Sequence, residues 1–352
     1  RYTRHIQLQG FGAAGQARLK KAHVLIVGMG GLGAPVGLYL AAAGVGKLTI
    51  YDGDTVDLTN LQRQVIFTMA DIGQSKAQAA KRHLLALNPD ICIDAVAEHF
   101  SLSSARNDFS DVDLVLDCSD NFSTRYLIND FCLDKKLPWV YASVHQYAGQ
   151  CALFVPGGAC FRCVFPQAPD NPEDCNSAGV MGVLPGLMGL MQSSEALKYL
   201  AGQAAALSNQ LLLFDAAQLS MQRIRLSADS DCRCQQHGVS ALSGDYAFAC
   251  DSNVQDALEV SPEVFNRLRD QKNHTVLDVR EIPERTSFHI GGEHIPMGDV
   301  AQCANQLAKH STILCYCQSG KRSRAVAEEL SAMGYNALSV QGGLAAWLKA
   351  QS

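Results

Sequence analysis

The feature that most constrains this chain is Gly28-Met29-Gly30-Gly31-Leu32-Gly33, set between an apolar run and an alanine-rich one. Residues 22–27 (AHVLIV) have the length and β-branching of a buried strand, and the stretch from Gly33 to about Ala43 reads as a helix. Glycines between such a strand and helix let backbone approach phosphate oxygens, and the helix N-terminus favours their negative charge. The next strand-like run, residues 47–52, ends on Asp52, placed to accept hydrogen bonds from ribose hydroxyls. A nucleotide-binding domain opening at Val24 follows. The turn by itself suits a nicotinamide dehydrogenase and an ATP enzyme equally.

Strand and helix patterns keep alternating. Ser75 caps a helix that runs to Leu87 and is ended by Asn88-Pro89. Residues 91–96, 112–118 and 138–143 read as further strands, giving an α/β fold with a Rossmann-like, mostly parallel sheet covered on both faces. After Tyr147 three neighbouring strands (QCALFVP, LLLFDA, MQRIRL) form an antiparallel continuation. Residues 180–200 read as a buried helix, interrupted by Pro185, Gln192 and Glu195 and so unsuited to spanning a membrane. From about 229 to 255 periodicity is lost, and a smaller α/β unit follows: a helix near 262–269, strands at 275–279 and 312–316, and a helix from about Arg324. The expected division is a first domain at 1–238, a linker at 239–256 and a second domain at 257–352.

Composition agrees with two domains: 352 residues, 47% apolar, can bury two ordinary cores. The net charge of −5 and the lack of a Lys/Arg run argue against direct nucleic-acid or membrane binding. Thirteen cysteines without an export signal point to a reducing cytoplasm, where thiols serve metals or chemistry.

Residues beyond the first turn separate the two nucleotide readings. Arg63, in Leu58-Thr59-Asn60-Leu61-Gln62-Arg63-Gln64, and Lys76, at a helix start, can hold a triphosphate, and Asp120-Asn121 after a third strand can hold Mg²⁺. Each taken singly also fits a solvated charge or a helix cap. Their joint placement at strand ends favours the phosphate role.

The segments GMGGLG, YDGDTVDLTNLQRQ, GQSKAQAA and DCSDN, in this order and spacing, resemble the ubiquitin-activating-type adenylating family, in its MoeB/ThiF branch, over residues 1–238. The resemblance implies ATP as cosubstrate and adenylation of a ubiquitin-like carrier at its C-terminal Gly-Gly. It places Gly31 at the phosphates and Asp52 at the ribose. Thr59, Asn60, Leu61, Gln62, Arg63, Lys76 and Asn121 join the ATP site, and Asp120 holds Mg²⁺. Arg4 matches an arginine that such proteins send across a homodimer interface into the partner's site.

Cys160-Phe161-Arg162-Cys163 is a CxxC of the kind that grips zinc as half of a tetrahedral site, and Cys232-Arg233-Cys234 is the only later pair before the junction; a decayed site without metal is the alternative. The family has two CxxC pairs, whereas here the second is CxC, so His237 stands as an alternative ligand. Cys175, in a polar loop ahead of the 180–200 helix, is a candidate nucleophile, and the resemblance suggests a covalent link to the carrier; Glu173 and Asp174 oppose its ionisation. Cys92, Cys118, Cys132, Cys151, Cys303 and Cys315 fall on apolar segments and read as small buried hydrophobes. Cys250 is expected to be exposed.

Cys317 opens Cys317-Gln318-Ser319-Gly320-Lys321-Arg322-Ser323, between a strand and a helix. Such a loop wraps N–H groups around one sulfur and stabilises a thiolate or persulfide. A phosphatase-like CX₅R loop would need Arg where Ser323 stands. With Asp278-Val279-Arg280-Glu281 upstream and QGGLAAW downstream, residues 257–352 resemble a rhodanese, which implies a Cys317 persulfide loaded by a sulfur donor such as a cysteine desulfurase. Three functions compete. One is carrier adenylation followed by sulfur transfer, in molybdopterin synthesis or with a thiamine-type carrier; the others are a nicotinamide oxidoreductase with a thiol domain and a non-catalytic scaffold.

Overall fold

The computed structural model describes residues 1–107, 109–167, 179–232, 234, 242, 246, 258–269, 274–304, 307 and 311–349. The chain divides into two compact units, Arg1–Asp251 and Ser252–Ser352. Among the described residues no helix is long and apolar enough to cross a membrane.

In the first unit β1 (His23–Val27), β2 (Lys47–Tyr51), β3 (Cys92–Val96) and β4 (Leu114–Asp117) are followed by β5 (Trp139–His145), β6 (Ala148–Phe154), β7 (Gln210–Asp215) and β8 (Ser220–Arg225). They form one sheet in the order β3-β2-β1-β4-β5-β6-β7-β8. Pairing is parallel as far as β5 and antiparallel from β5 to β8. Strand β1 shows why the parallel part is two-faced. Val24 and Ile26 point into one apolar cluster, with Leu40, Leu84 and Met188; Leu25 and Val27 point into another, with Tyr126, Ile128 and Phe131. The first cluster is closed by the helices Gly33–Ala43, Lys76–Leu87 and Val183–Leu200, and the second by Phe122–Lys135.

Two details depart from the sequence reading. Gln192 and Glu195 are buried ties within the apolar helix, whereas from sequence they read as interruptions. The Gln192 amide donates to the carbonyls of Asp117 (2.7 Å) and Val140 (3.2 Å), and Glu195 accepts from the Leu207 N–H at 2.7 Å and pairs with Lys198. Buried polar groups persist when they are satisfied in this way. Cys92 is exposed, because β3 is the edge strand and alternates between solvent and core; Cys303 is only half-buried. Cys118, Cys132, Cys151 and Cys315 are buried, and burial pushes their thiols up, Cys315 to about 12, leaving them neutral packing groups.

The second unit is a five-stranded parallel sheet of β9 (Glu259–Val260), β10 (His274–Asp278), β11 (Glu293–His294), β12 (Thr312–Tyr316) and β13 (Ala337–Val340), in the order β11-β10-β12-β13-β9. Strand β12 is central. Its Ile313 and Cys315, with Cys317 beyond its end, enter the cluster around Val279, Val326 and Leu330, while Leu314 and Tyr316 face Phe265 and Leu344. The helix Lys321–Ala332 begins three residues earlier than its sequence pattern suggests, because Gly320 at φ +87° turns the chain into it.

Candidate functional site

The first candidate site lies at the C-terminal ends of β1, β2 and β4, the edge at which open α/β sheets bind ligands. Gly28 has φ +94°, and a Cβ there would lie 2.6 Å from the Cys118 carbonyl oxygen, so only glycine fits beside β4. Asp52 ties the turn to β2: one carboxylate oxygen accepts from the Met29 N–H at 2.6 Å and the other from the Asp54 N–H at 2.9 Å. Burial raises its pKa, against the opposing pull of Lys76 and these amides.

Lys76 is buried and donates from Nζ to Asp54 Oδ2 at 2.8 Å. Asp54 Oδ1 faces His99 Nε2 at 3.7 Å, a neighbour that the sequence reading missed. Arg63 donates from Nη1 to the Thr59 carbonyl at 3.2 Å. A Cβ on Gly31 would reach Pro185 Cβ at 2.8 Å and Arg63 Cγ at 3.6 Å, and one on Gly182 would lie 2.8 Å from the Gln62 carbonyl oxygen. The glycine turn, the 58–64 turn and the start of the Val183–Leu200 helix therefore converge.

Thr59 and Asn60 serve their own turn: Asp57 Oδ1 accepts from the Thr59 N–H and hydroxyl, and Asn60 Oδ1 accepts from the Asp57 N–H. Leu61 packs partly buried against the first core. Asn121 caps the Phe122–Lys135 helix by accepting from the Thr124 N–H at 2.8 Å, and Asp120 beside it is exposed. Arg4 is exposed on the short helix Thr3–Ile6. Cys175, His237 and Cys250 lie outside the described residues.

Behind Asp120, Asp117 is fully buried. Burial pushes its carboxyl up to about 6 even though Arg125 Nε lies 3.9 Å away and Ser119 donates twice to its other oxygen. This pair is invisible in the sequence because DCSDN reads as strand end and loop.

Cys160, Cys163, Cys232 and Cys234 form one cluster, all four sulfurs within 4.8 Å of one another. The separations Cys160–Cys163, Cys160–Cys232 and Cys163–Cys234 are 3.7, 3.5 and 3.4 Å. A tetrahedron with metal–sulfur bonds of about 2.3 Å has edges of about 3.8 Å, so the shorter CxC pair still delivers both sulfurs. Burial and the three neighbouring sulfurs push Cys160 far above the usual thiol range, so four thiolates here call for a cation. The Cys160–Cys163 turn is pinned to the Phe122–Lys135 helix: Arg162 pairs with buried Asp130 through two bonds of 2.9 and 2.8 Å, and Asn129 accepts from the Phe161 N–H.

In the second unit Cys317 sits at the C-terminal end of β12, fully buried. Burial alone would raise its thiol. The Ser323 hydroxyl, at 3.5 Å from Sγ, and the N–H groups of Ser323, Ser319 and Arg322 outweigh that and bring the thiol below its usual range. Ser323 stands where a phosphatase-like loop carries arginine. The Arg322 guanidinium is turned to Glu284 on the helix Ile282–Ser287, through bonds of 2.7 and 2.6 Å. Asp278 and Arg280, buried and doubly bonded at 2.9 and 2.8 Å, brace the neighbouring strand end, and Arg280 donates onward to the Phe288 carbonyl.

The Glu284–Arg322 clamp generates a pH prediction. Hydrogen bonds from Arg322 hold the Glu284 carboxyl down to about 2, against an ordinary 4.5. Its contribution is therefore present above pH 4.5 and lost as pH falls toward 2, though the one-third exposure of both side chains keeps it modest. Thermal midpoints should fall more steeply across that window in the unaltered protein than in Glu284→Gln; equal slopes would contradict the clamp.

Comparison with known proteins accords with this geometry. Residues 2–235 match the ThiF family and residues 261–350 the rhodanese-like domain. The SAMP-activating enzyme E1 of Haloferax volcanii is 41% identical over 71% of this chain and 94% of its own length. The probable adenylyltransferase/sulfurtransferase MoeZ of Mycobacterium tuberculosis is 35% identical over 99% of this chain and 92% of its own length. Among solved structures, E. coli MccB with a MccA variant superposes with a TM-score of 0.59 at 24% identity, covering 66% of this chain and 73% of that one, a likeness of fold. The chain belongs to the ThiF family, with a rhodanese-like domain following the first, and is an enzyme of the adenylyltransferase and sulfurtransferase type.

Proposed function

We propose that the chain uses ATP to adenylate the C-terminal Gly-Gly carboxylate of a ubiquitin-like sulfur carrier and then supplies sulfur from a Cys317 persulfide. The observation that carries this reading is a buried thiol brought below its usual range by the Ser323 hydroxyl and amide N–H groups, on a chain whose other unit sets Arg63 against a glycine turn and buries Lys76 beside Asp52 and Asp54. Carboxylate and α-phosphate are both anionic, so their approach needs fixed cations. Lys76 and Arg63 supply them, with Arg4 of a second copy joining in a homodimer. Asp52 would take the ribose and Gly31 would admit the phosphates. Mg²⁺, when bound, would reduce repulsion among the phosphate oxygens, and the exposed carboxylate of Asp120 would hold it. The nucleophile is already ionised at neutral pH, so no general base is required.

The carrier carboxylate displaces pyrophosphate and forms an acyl adenylate. The terminal sulfur of the persulfide then attacks the acyl carbon and AMP leaves, giving a carrier–CO–S–S–Cys317 adduct. A second thiol attacks Cys317 Sγ, releasing the thiocarboxylate and leaving a disulfide for a thiol reductant to reopen. Cys175 is the chain's own candidate for covalent contact with the carrier. A cysteine desulfurase fits as the sulfur donor. The fused rhodanese unit favours a molybdopterin-type carrier over a thiamine-type one.

ATP–pyrophosphate exchange should appear only with a ubiquitin-like carrier ending in Gly-Gly. Lys76→Ala or Arg63→Ala should cut it by about 10²–10³-fold, while Cys317→Ala should leave it intact. Absence of exchange across molybdopterin-type and thiamine-type carriers would overturn the assignment.

We further infer that the four-cysteine cluster holds structural zinc, since four sulfur ligands leave no open position. Metal analysis of the purified protein should find one zinc per chain, lost in Cys234→Ser and kept in His237→Ala; the reverse pattern would make His237 the fourth ligand.

A further inference from the structure

Ser339 lies on β13, opposite Cys315 of β12 in the parallel register, and is fully buried. Its hydroxyl has a single partner among the described residues, Ser323 Oγ at 2.9 Å. Ser323, also fully buried, reaches three groups: Ser339, the Gly320 carbonyl oxygen at 3.1 Å and Cys317 Sγ at 3.5 Å. Two hydroxyls bring two protons, and a buried donor without an acceptor is costly. Were Ser323 to donate to Ser339, the Ser339 proton would find no acceptor among the described residues. Both protons are satisfied only when Ser339 donates to Ser323 and Ser323 donates to Gly320 or Cys317. Once Cys317 ionises, the sulfur anion is the stronger acceptor of the two.

We propose that Ser339 is a positioning residue for the sulfur chemistry, directing the Ser323 proton onto the Cys317 thiolate through a two-hydroxyl relay. A hydroxyl that itself accepts a hydrogen bond becomes a better donor, so Ser339 strengthens a contact it does not make. The thiolate is the nucleophile when sulfur arrives on Cys317 and the leaving group when the reductant reopens the disulfide at Sγ, so the relay bears on loading and on resetting of the thiol. Among the described residues, Arg322 on the following helix and Cys315 on β12 interact electrostatically with Cys317, and Glu284 from the Ile282–Ser287 helix pairs with Arg322. Substitution at 339 alters none of them.

The relay rests on Cys317 being the sulfur-bearing thiol, yet it is read without any sulfur transfer. In the full-length protein, the rate of Cys317 alkylation by iodoacetamide is followed against pH by peptide mass spectrometry. Ser339→Ala should raise the midpoint by about half a pH unit, roughly a threefold loss of thiolate below it. Ser339→Thr, which keeps the hydroxyl, should restore the original midpoint. In a Ser323→Ala background the Ser339→Ala change should have no further effect. If the alanine variant does not fold, Ser339→Cys, similar in size and a weaker donor, should show a raised midpoint. An unmoved midpoint, or an equal shift with and without Ser323, would overturn the relay. A failure of the sulfur-transfer reading would appear elsewhere, as unchanged transfer in Cys317→Ala.

Discussion

Backbone N–H groups without intrahelical partners, where a helix follows a central parallel strand, underlie both candidate sites. At such a junction the first turn of the helix has donors but no intrahelical acceptors. In the first unit the junction after β1 carries the glycine turn; in the second, the junction after β12 carries Cys317. One suits phosphate oxygens and the other a sulfur anion, by the same electrostatics. Each also depends on a backbone conformation reserved for glycine, Gly28 at φ +94° and Gly320 at φ +87°. The net charge of −5 is no obstacle, because the positive potential needed is local and fixed.

Around these junctions the fold spends buried polar contacts on keeping the strand ends rigid. Gln192 fastens the Val183–Leu200 helix to Asp117, at the end of β4 just before Asp120, and to Val140 on the neighbouring β5. Asp130 and Asn129 fasten the cysteine turn to the helix that begins just after Asp120. In the second unit Asp278 and Arg280 brace the end of β10, beside β12. The groups of both candidate sites are thus carried by elements with little freedom to relax, as preorganised electrostatic sites require.

Much of this was legible in the sequence, for identifiable reasons. Strand β1 and the helix after it are long apolar runs separated by glycines, and their periodicity leaves few alternatives. The glycine turn could not by itself tell a nicotinamide from ATP; the ordered motifs at Asp52, Arg63, Lys76 and Asp120 carried the family resemblance, which the ThiF match bears out. Two-residue strands such as Glu259–Val260 and Glu293–His294 have no period to detect. Cys92 sits on an apolar strand but at the sheet's edge, a distinction set by strand order. The Ser339–Ser323–Cys317 contacts join residues from two strands and a helix, and no local pattern announces them.

In the proposed reaction, activation and sulfur delivery are consecutive steps performed by one chain. This order of steps is tested most directly by loading Cys317 with ³⁵S as the persulfide and adding a Gly-Gly carrier with and without ATP, in the presence of a thiol reductant. Label should move to the carrier's C-terminus only when ATP is present, with AMP released in equal amount. Label reaching the carrier without ATP, or staying on Cys317 while AMP is released, would contradict that order.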